Sequence, residues 1–244
     1  MSWIVVADWG NIKVNSYKYT VIDSLILRVR AQEEMDAILI MGDIGYDLDT
    51  NNCDNYEKFI VELADTVADI PIVLVTGNHE YNTPDNWQLY AKSFSLYGLD
   101  SDKVAALSLG SIYMVAFDPY DLLYVTPDTD LVFDKFNQLL DQAQNRGQFV
   151  LTTSHYPLAC SGSSKFCSKD RQFMKAYWQT MLDHKVSFYL GAHYHTYQRL
   201  YPYTKNDKFT TQSSDYSSDG DYLITIIEGV GGNDKDIVEN IDKI

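Results

Sequence analysis

The chain has 244 residues, of which 45% are apolar, so it can bury a substantial core and needs no more than one domain. Its net charge is -15, from 34 acidic and 19 basic residues, and such a surface repels polyanions, which argues against a basic groove for nucleic acids. No apolar run reaches the roughly 18 uncharged residues that a transmembrane helix needs.

Apolar runs of the length of buried strands recur along the chain. They lie, in order, at 3–8 ("WIVVAD"), 37–43 ("AILIMGD"), 70–79 ("IPIVLVTGNH"), 147–155 ("GQFVLTTSH"), 186–195 ("VSFYLGAHYH") and 221–233 ("DYLITIIEGVGGN"). The stretch 104–118 differs, because its two apolar halves meet at Leu109-Gly110-Ser111, and it predicts a β-hairpin. Residues 204–221 are rich in Ser, Thr and Asp and predict an exposed loop.

Apolar stripes with the period of a helix separate most of these runs. Four occur: Val21, Ile22, Leu25, Ile26 and Val29; Tyr56, Phe59, Ile60, Leu63 and Val67; Phe133, Phe136, Leu140 and Ala143, ended by Gly147; and Phe173, Tyr177, Trp178 and Met181. Nearly continuous apolar strands that alternate with helices indicate a sheet covered on both faces. We therefore expect an α/β fold.

Polar side chains that can bind a metal ion follow the predicted strands. They are Asp8, Asp43, Asn78, His79, His155, His193 and His195. Ligands of open α/β sheets bind beyond the carboxyl ends of the strands, so we expect these side chains to converge on one rim. His193 and His195 lie two positions apart in an extended chain and therefore point to the same face. His184 follows a helical pattern and is expected to be only a helix-terminal cation.

The mixture of donors indicates the kind of ion. Carboxylate, amide and imidazole ligands suit iron, manganese or zinc. Seven donors are too many for one ion, whereas two ions that share a bridging carboxylate can use them all. Such pairs, about 3.5–4 Å apart, promote in-line displacement at phosphorus. The pattern therefore predicts a binuclear metal centre suited to phosphate esters.

Five short blocks carry these residues in a fixed order: Asp8-Trp9-Gly10, Gly42–Tyr46, Gly77–Glu80, Ser154–Pro157 and His193–Arg199. Over residues 4 to 233 they resemble the blocks of the purple acid phosphatases, a family of the calcineurin-like metallophosphoesterases. The resemblance implies a four-layer α/β/β/α sandwich. It also implies an acid phosphatase that hydrolyses phosphate monoesters with a binuclear metal centre and a metal-bound hydroxide as nucleophile.

Gly10 and Tyr46 distinguish this family from its relatives. General metallophosphoesterases have histidine at the position of Gly10 and aspartate at that of Tyr46. A phenolate is a hard, anionic donor that favours a trivalent ion. The resemblance therefore implies iron(III) at this site, beside a divalent ion that is iron, zinc or manganese.

The resemblance also implies a role for each site residue. Iron(III) would be held by Asp8, Asp43, Tyr46 and His195, and the divalent ion by Asp43, Asn78, His155 and His193, with Asp43 as the bridge. Asp43 and His79 would be catalytic, and Asn78 and His79 would contact the substrate. His79 would hydrogen-bond the phosphate or protonate the leaving alcohol; the alternative is that it only orients the ligands.

Two regions depart from the family pattern. Ala192 stands where the fifth block usually has glycine, and its methyl group is expected to shift the ligand strand slightly. The loop after His155 lacks the further histidines that contact substrate in plant members, so no substrate specificity is implied. This loop carries Cys160 and Cys167, whose short spacing fits either a disulfide or two free thiols, while Cys53 is left unpaired.

The resemblance bears on the extent and location of the protein as well. We expect residues 1–244 to form a single catalytic domain without the N- and C-terminal extensions that family members carry. No signal-peptide pattern opens the chain, although the family implies a secreted protein or one of a lysosomal or vacuolar lumen. Two alternatives use the same fold: a phosphodiesterase or nucleotide pyrophosphatase, and a structural subunit of a larger assembly.

Overall fold

The computed structural model describes residues 3–8, 34–44, 61, 70–81, 103–120, 123, 130–144, 146–161, 165–204 and 222–229. Residues 130, 131 and 165–173 are described only as helical backbone. The two helical stripes predicted at 21–29 and 56–67 lie outside this part of the chain, apart from the single residue Val61. The described residues form the mixed α/β fold that the sequence predicts.

The first sheet has three parallel strands in the described part of the chain. They are β1 (Trp3–Val6), β2 (Ala37–Met41) and β3 (Ile72–Val75), and they lie side by side in that order. The central strand β2 is buried over its whole length, which explains why its sequence is apolar without alternation. Its register with β1 pairs Val6 with Ile40, so the two strands end at the same edge.

The second sheet has seven strands among the described residues. These strands are β4 (Val104–Leu109), β5 (Ile112–Phe117), β6 (Phe149–Thr153), β7 (Phe188–Gly191), β8 (Tyr197–Arg199), β9 (Tyr203–Thr204) and β10 (Tyr222–Glu228). Their spatial order is β4-β5-β6-β7-β10-β8, and β9 pairs with β10. Strands β5, β6, β7 and β10 run parallel, so their carboxyl ends also share one edge.

Two sequence predictions meet this sheet directly. The hairpin is confirmed, because β4 and β5 are antiparallel and Leu109 pairs with Ile112 across Gly110-Ser111. The loop predicted from residue 204 begins too early, since Thr204 pairs with Tyr222 in β9. Strands of two or three residues leave no readable periodicity, which is why β8 and β9 were not predicted. The rest of that loop lies outside the described residues.

Two helices cover the outer face of the second sheet. They are α1 (Asp130–Gln144) and α2 (Lys165–Asp183), which confirms the third and fourth predicted stripes. The ring of Phe117 in β5 lies 4.6 Å from that of Phe136 in α1 and 4.7 Å from that of Tyr177 in α2. No helix within the described ranges is long and apolar enough to span a membrane.

The inner faces of the two sheets share a second apolar cluster. It joins Ala7, Leu39, Met41, Val73 and Val75 of the first sheet to Met114, Ala116, Leu190 and Ala192 of the second. The two sheets therefore pack face to face, with a helical layer outside the second sheet. The helical layer predicted outside the first sheet falls on residues beyond the described ranges and stays a prediction.

Candidate metal centre

The predicted ligands lie where the parallel strands end. Asp8, Asp43, His155 and His193 each follow the last residue of their strand by two positions, in β1, β2, β6 and β7 respectively. Three of them have left-handed backbone conformations, with φ of 53° at Asp8, 53° at Asp43 and 67° at His193. Such conformations are uncommon outside glycine and concentrate at functional sites. The chain turns sharply there and leaves these side chains at the rim.

Three side chains from two sheets meet closely enough to hold one cation. Asp43, His155 and His193 each offer a donor atom, and the three atoms lie within 4.8 Å of one another. The Nε2 atom of His155 lies 3.3 Å from Asp43 Oδ2 and 3.2 Å from Nδ1 of His193. The structure therefore brings together three of the four residues that the sequence assigned to the divalent ion.

The orientation of His155 is fixed by the backbone. Its Nδ1–H donates to the carbonyl oxygen of Met41, at 2.7 Å, and its ring is fully buried. A histidine that donates one ring nitrogen to a carbonyl presents the other nitrogen as a ligand, an arrangement found around most metal-binding histidines. Nε2 is therefore the atom of His155 that faces the cluster.

The charges of the cluster are strongly coupled. Burial disfavours the Asp43 carboxylate, but the charge and hydrogen bond of His155, with smaller contributions from His79 and His193, hold its pKa well below the usual range. Burial also opposes a charged His155, yet Asp43 raises the pKa of His155 to about 10. Burial and then the neighbouring His155 lower the pKa of His193 to about 3. An ionised carboxylate and a neutral imidazole are the forms that bind metal ions, so Asp43 and His193 are ready to bind, whereas a cation has to displace a proton from Nε2 of His155.

Asp8 and His195 form a second pair beside this cluster. His195 Nε2 lies 3.5 Å from Asp8 Oδ1, and the backbone N–H of His193 donates to Asp8 Oδ2 at 3.1 Å. Burial raises the pKa of Asp8, and the hydrogen bond from His195 acts in the opposite direction. The side chain of His193 thus lies beside Asp43 and that of His195 beside Asp8, as expected if the two histidines bind different ions.

Asn78 and His79 follow β3 at the same rim. The side-chain oxygen of Asn78 is buried and has no hydrogen-bond donor within the described part of the chain. His79 donates its backbone N–H to Asp43 Oδ1 at 3.0 Å, and its Nε2 lies 3.9 Å from Asp43 Oδ2. The side chain of His79 is 31% exposed, so it can reach a molecule bound at the rim.

Three further positions that the sequence analysis singled out are Tyr46, Ala192 and Cys160. Tyr46 lies outside the described residues, so its place at the centre stays a prediction. Ala192 is fully buried between the sheets and donates its N–H to the His155 carbonyl at 2.8 Å. Cys160 is disulfide-bonded, and its partner is not among the described side chains.

His184 lies away from the rim, as predicted. It follows the last residue of α2, where its Nδ1 lies 2.9 Å from the carbonyl oxygen of Thr180. Its Nε2 lies 2.9 Å from Asp141 Oδ1 of α1. His184 therefore links two helices and takes no part in the centre.

Glu80 is a buried residue of the site loops that the sequence analysis did not identify. Its carboxylate is fully buried and accepts three backbone N–H groups, from Asp43 at 2.9 Å, Ile44 at 2.8 Å and Gly77 at 2.6 Å. It thereby joins the loop after β2, which carries Asp43, to the loop after β3, which carries Asn78. A signal was present, because Glu80 ends the third block, but the sequence does not show that this carboxylate accepts backbone N–H groups from two loops.

The same two loops approach each other at glycines. A Cβ atom on Gly42 would lie 2.4 Å from the backbone nitrogen of Gly77, and one on Gly77 would lie 2.2 Å from Asp43 Oδ1. Neither position has room for a side chain. Gly42 also has a φ of 85°, which other residues adopt at a cost. The glycines of the second and third blocks therefore permit the contact that Glu80 stabilises.

Asp118 is the second missed residue. It follows β5 directly, is almost completely buried, and accepts hydrogen bonds from the hydroxyls of Thr76 and Tyr81. Burial raises the pKa of Asp118, and Lys103 together with these hydrogen bonds acts against that rise. Its position at a strand end is the signal that identified the ligands, but its strand was interpreted only as part of a hairpin.

The donors at the rim fit a divalent cation. The cluster combines the Asp43 carboxylate, the oriented Nε2 of His155 and the neutral imidazole of His193, and the Asn78 oxygen nearby lacks a donor among the described residues. This set of oxygen and nitrogen donors suits zinc, manganese or iron. A cation would also neutralise the carboxylates that burial disfavours.

Comparison with known proteins places the chain in a family. Residues 1–197 match the model of the calcineurin-like phosphoesterases. The human protein named acid phosphatase type 7 is 28% identical over 192 residues, which cover 72% of this chain and 43% of that protein. The chain thus spans less than half the length of this relative.

Solved structures show the same fold. A purple acid phosphatase from yellow lupin (Lupinus luteus) seeds superposes with a TM-score of 0.72 at 15% identity, covering 98% of this chain and 45% of that one. A dimetal phosphatase from Danio rerio gives a TM-score of 0.58 at 16% identity, with 94% and 87% covered. These matches confirm the resemblance carried by the five sequence blocks. The chain belongs to the calcineurin-like phosphoesterase family.

Proposed function

We propose that this chain is the catalytic domain of an acid phosphatase that hydrolyses phosphate monoesters at a binuclear metal centre. The observation that supports this most is the cluster of Asp43, His155 and His193 at the shared carboxyl edge of two sheets, in a member of a phosphoesterase family. The overall charge of -15 would repel a phosphate, so the positive charge that binds it has to be local.

The proposed ligand sets follow the two groups of side chains at the rim. Asp43, Asn78, His155 and His193 would hold the divalent ion, while Asp8, Asp43, Tyr46 and His195 would hold iron(III). Bound ions of this kind attract the phosphate and lower the pKa of the attacking water. Asp43 is suited to the shared position because its pKa is held low and its backbone N–H is fixed by Glu80.

His79 is the proposed proton donor to the leaving alcohol. Its side chain is 31% exposed, more than those of His155 (0%) and His195 (19%). Its backbone N–H donates to Asp43. An imidazole can donate a proton to a departing alkoxide when it lies within hydrogen-bond reach of the leaving oxygen. We propose that Asn78 and His79 contact the phosphate from this side of the rim.

The disulfide at Cys160 supports a location outside reducing compartments. Disulfides persist in secreted proteins and in oxidising lumens. We propose that the protein is secreted or lies in a lysosomal or vacuolar lumen.

The first experiment compares two model substrates on the metal-loaded protein. We expect turnover of p-nitrophenyl phosphate at acid pH, and much slower turnover of the diester bis(p-nitrophenyl) phosphate. A chelator should abolish activity, and zinc or manganese should restore it, because the metal ions supply the positive charge that binds the phosphate and activates the water. Faster turnover of the diester would favour the phosphodiesterase alternative, and no turnover of either would contradict the proposal.

A second prediction concerns iron(III) and Tyr46. A phenolate bound to iron(III) absorbs visible light by charge transfer, so natively purified protein should be pink or purple. Tyr46→Phe deletes the donor oxygen and should remove the absorption band and weaken iron retention, while activity survives if a divalent ion replaces the iron. The measurements are metal analysis and a visible spectrum of oxidised protein. An iron-loaded protein whose spectrum is unchanged by Tyr46→Phe would exclude this ligand.

A further inference from the structure

Asp118 contacts the other sheet at the rim. It follows β5 of the second sheet, yet its Oδ2 atom accepts hydrogen bonds from Thr76 Oγ1 and the Tyr81 hydroxyl, both of which follow β3 of the first sheet. Its Oδ1 atom accepts the backbone N–H of Tyr120 at 2.9 Å. Both carboxylate oxygens are therefore engaged, and the carboxylate is almost completely buried.

The two hydroxyl donors lie on either side of the residues proposed to act on substrate. Thr76 precedes Gly77-Asn78, and Tyr81 ends the short helix His79–Tyr81. Within this loop the backbone N–H of Tyr81 donates to the Asn78 carbonyl at 3.1 Å. Asp118 thus holds both ends of the segment that presents Asn78 and His79.

Tyr81 is held by its ring as well as by its hydroxyl. The ring stacks on that of Tyr120, with centroids 4.0 Å apart and planes 12° from parallel. The ammonium group of Lys103 lies 4.7 Å from the centroid of the Tyr81 ring. Lys103 and Tyr120 both lie beside Asp118. Lys103 accepts the Asp118 N–H at its carbonyl oxygen, at 2.8 Å, and Tyr120 follows Asp118 by two positions. The contacts of Tyr81 therefore converge on one end of the β4–β5 hairpin.

A buried carboxylate is costly unless it is fully hydrogen-bonded. An apolar residue at position 118 could instead pack against the apolar cluster between the two sheets, without that cost. Hydrogen bonds are directional, however. Those of Asp118 therefore fix the position of the segment from Thr76 to Tyr81, whereas apolar packing would only hold the sheets together.

We propose that Asp118 is a positioning residue of the metal centre, which acts through Thr76 and Tyr81 to fix the loop that presents Asn78 and His79. This inference rests on the proposed function for the roles of those two residues. Replacing a group that hydrogen-bonds to and orients a metal ligand typically lowers metal affinity or activity by about 10–100-fold.

The test uses three variants of the whole chain. Asp118→Asn keeps the shape of the side chain but removes its charge and one acceptor oxygen. Tyr81→Phe keeps the stacking on Tyr120 and removes only the hydroxyl. Tyr113→Phe is the matched control, because Tyr113 is buried near the opposite end of the same strand β5 and pairs with Val150 at the start of β6.

Three quantities are measured for each variant: zinc affinity by competition with a chromophoric chelator, kcat and KM for p-nitrophenyl phosphate, and the midpoint of thermal unfolding. We expect Asp118→Asn and Tyr81→Phe each to weaken zinc binding about 10-fold and to lower kcat by a similar factor. The double variant should lose little more than Asp118→Asn alone, because both changes act on the contact between Asp118 and Tyr81. Tyr113→Phe should bind zinc and turn over substrate as the unaltered protein does.

A purely structural role predicts a different result. Both variants would then unfold at lower temperature while folded protein kept the zinc affinity and kcat of the unaltered chain, which would overturn the proposal. Equal losses in Tyr113→Phe would overturn it too. If the unaltered protein hydrolyses no phosphate monoester, the proposed function fails, but the zinc affinities still decide whether Asp118 positions the ligand loop.

Discussion

Replacing His155 with alanine is expected to release the divalent ion and to lower turnover at least about 1,000-fold, the factor that a loss of about 4 kcal/mol of transition-state stabilisation produces. His155 contributes the Nε2 atom that lies between Asp43 and His193, so its removal leaves two of the three clustered donors. Metal analysis after gel filtration and kcat for p-nitrophenyl phosphate measure both effects.

Two further variants separate loss of the ligand from loss of the fold. His155→Gln retains most of the buried volume but does not place a nitrogen at the position of Nε2, so it should lose metal as His155→Ala does. His184→Ala removes a histidine that lies on the helices, bonded to Asp141, and should keep both metal and activity. Full activity with two bound ions in His155→Ala would show that the ligand assignment is wrong.

The position of the centre could be predicted because it follows from strand direction. Parallel strands that are buried on both faces read as continuous apolar runs, and their carboxyl ends meet at one edge. Asp8, Asp43, His155 and His193 could therefore be placed on one rim from the residues that end each run. The structure adds the distances, which show that Asp43, His155 and His193 form one cluster and that His195 contacts Asp8.

The groups that support the ligands could not be predicted in the same way. Glu80 and Asp118 act on loops that are distant in sequence, across separations of 37 residues from Asp43 and 42 residues from Thr76. The Glu80 contact exists because β2 and β3 lie side by side in the first sheet, and the Asp118 contact exists because the two sheets pack face to face. The period of a single strand contains neither relation. The short strands β8 and β9 were missed for a related reason, since their partner β10 decides that they are strands at all.

The carboxylate of Glu80 offers the second large effect. Its two oxygens receive the backbone N–H groups of Asp43, Ile44 and Gly77 inside the protein, where no water replaces a lost acceptor. In Glu80→Gln an amide N–H₂ takes the place of one oxygen and meets donors instead of offering an acceptor. At least one buried N–H is then left unsatisfied, and the others lose a charged acceptor.

We therefore expect Glu80→Gln to lower the free energy of unfolding by about 3 kcal/mol, the cost of losing hydrogen bonds to a buried charged group. Because the same N–H groups fix the backbone at Asp43 and beside Asn78, zinc affinity should fall with it, about 100-fold. Urea unfolding and chelator competition measure the two effects. Glu34→Gln, which removes an exposed carboxylate just before β2, is the matched control and should change neither. Unfolding of Glu80→Gln at the urea concentration of the unaltered protein would contradict a supporting role for Glu80, because a buried N–H group that loses its acceptor lowers the stability of the protein.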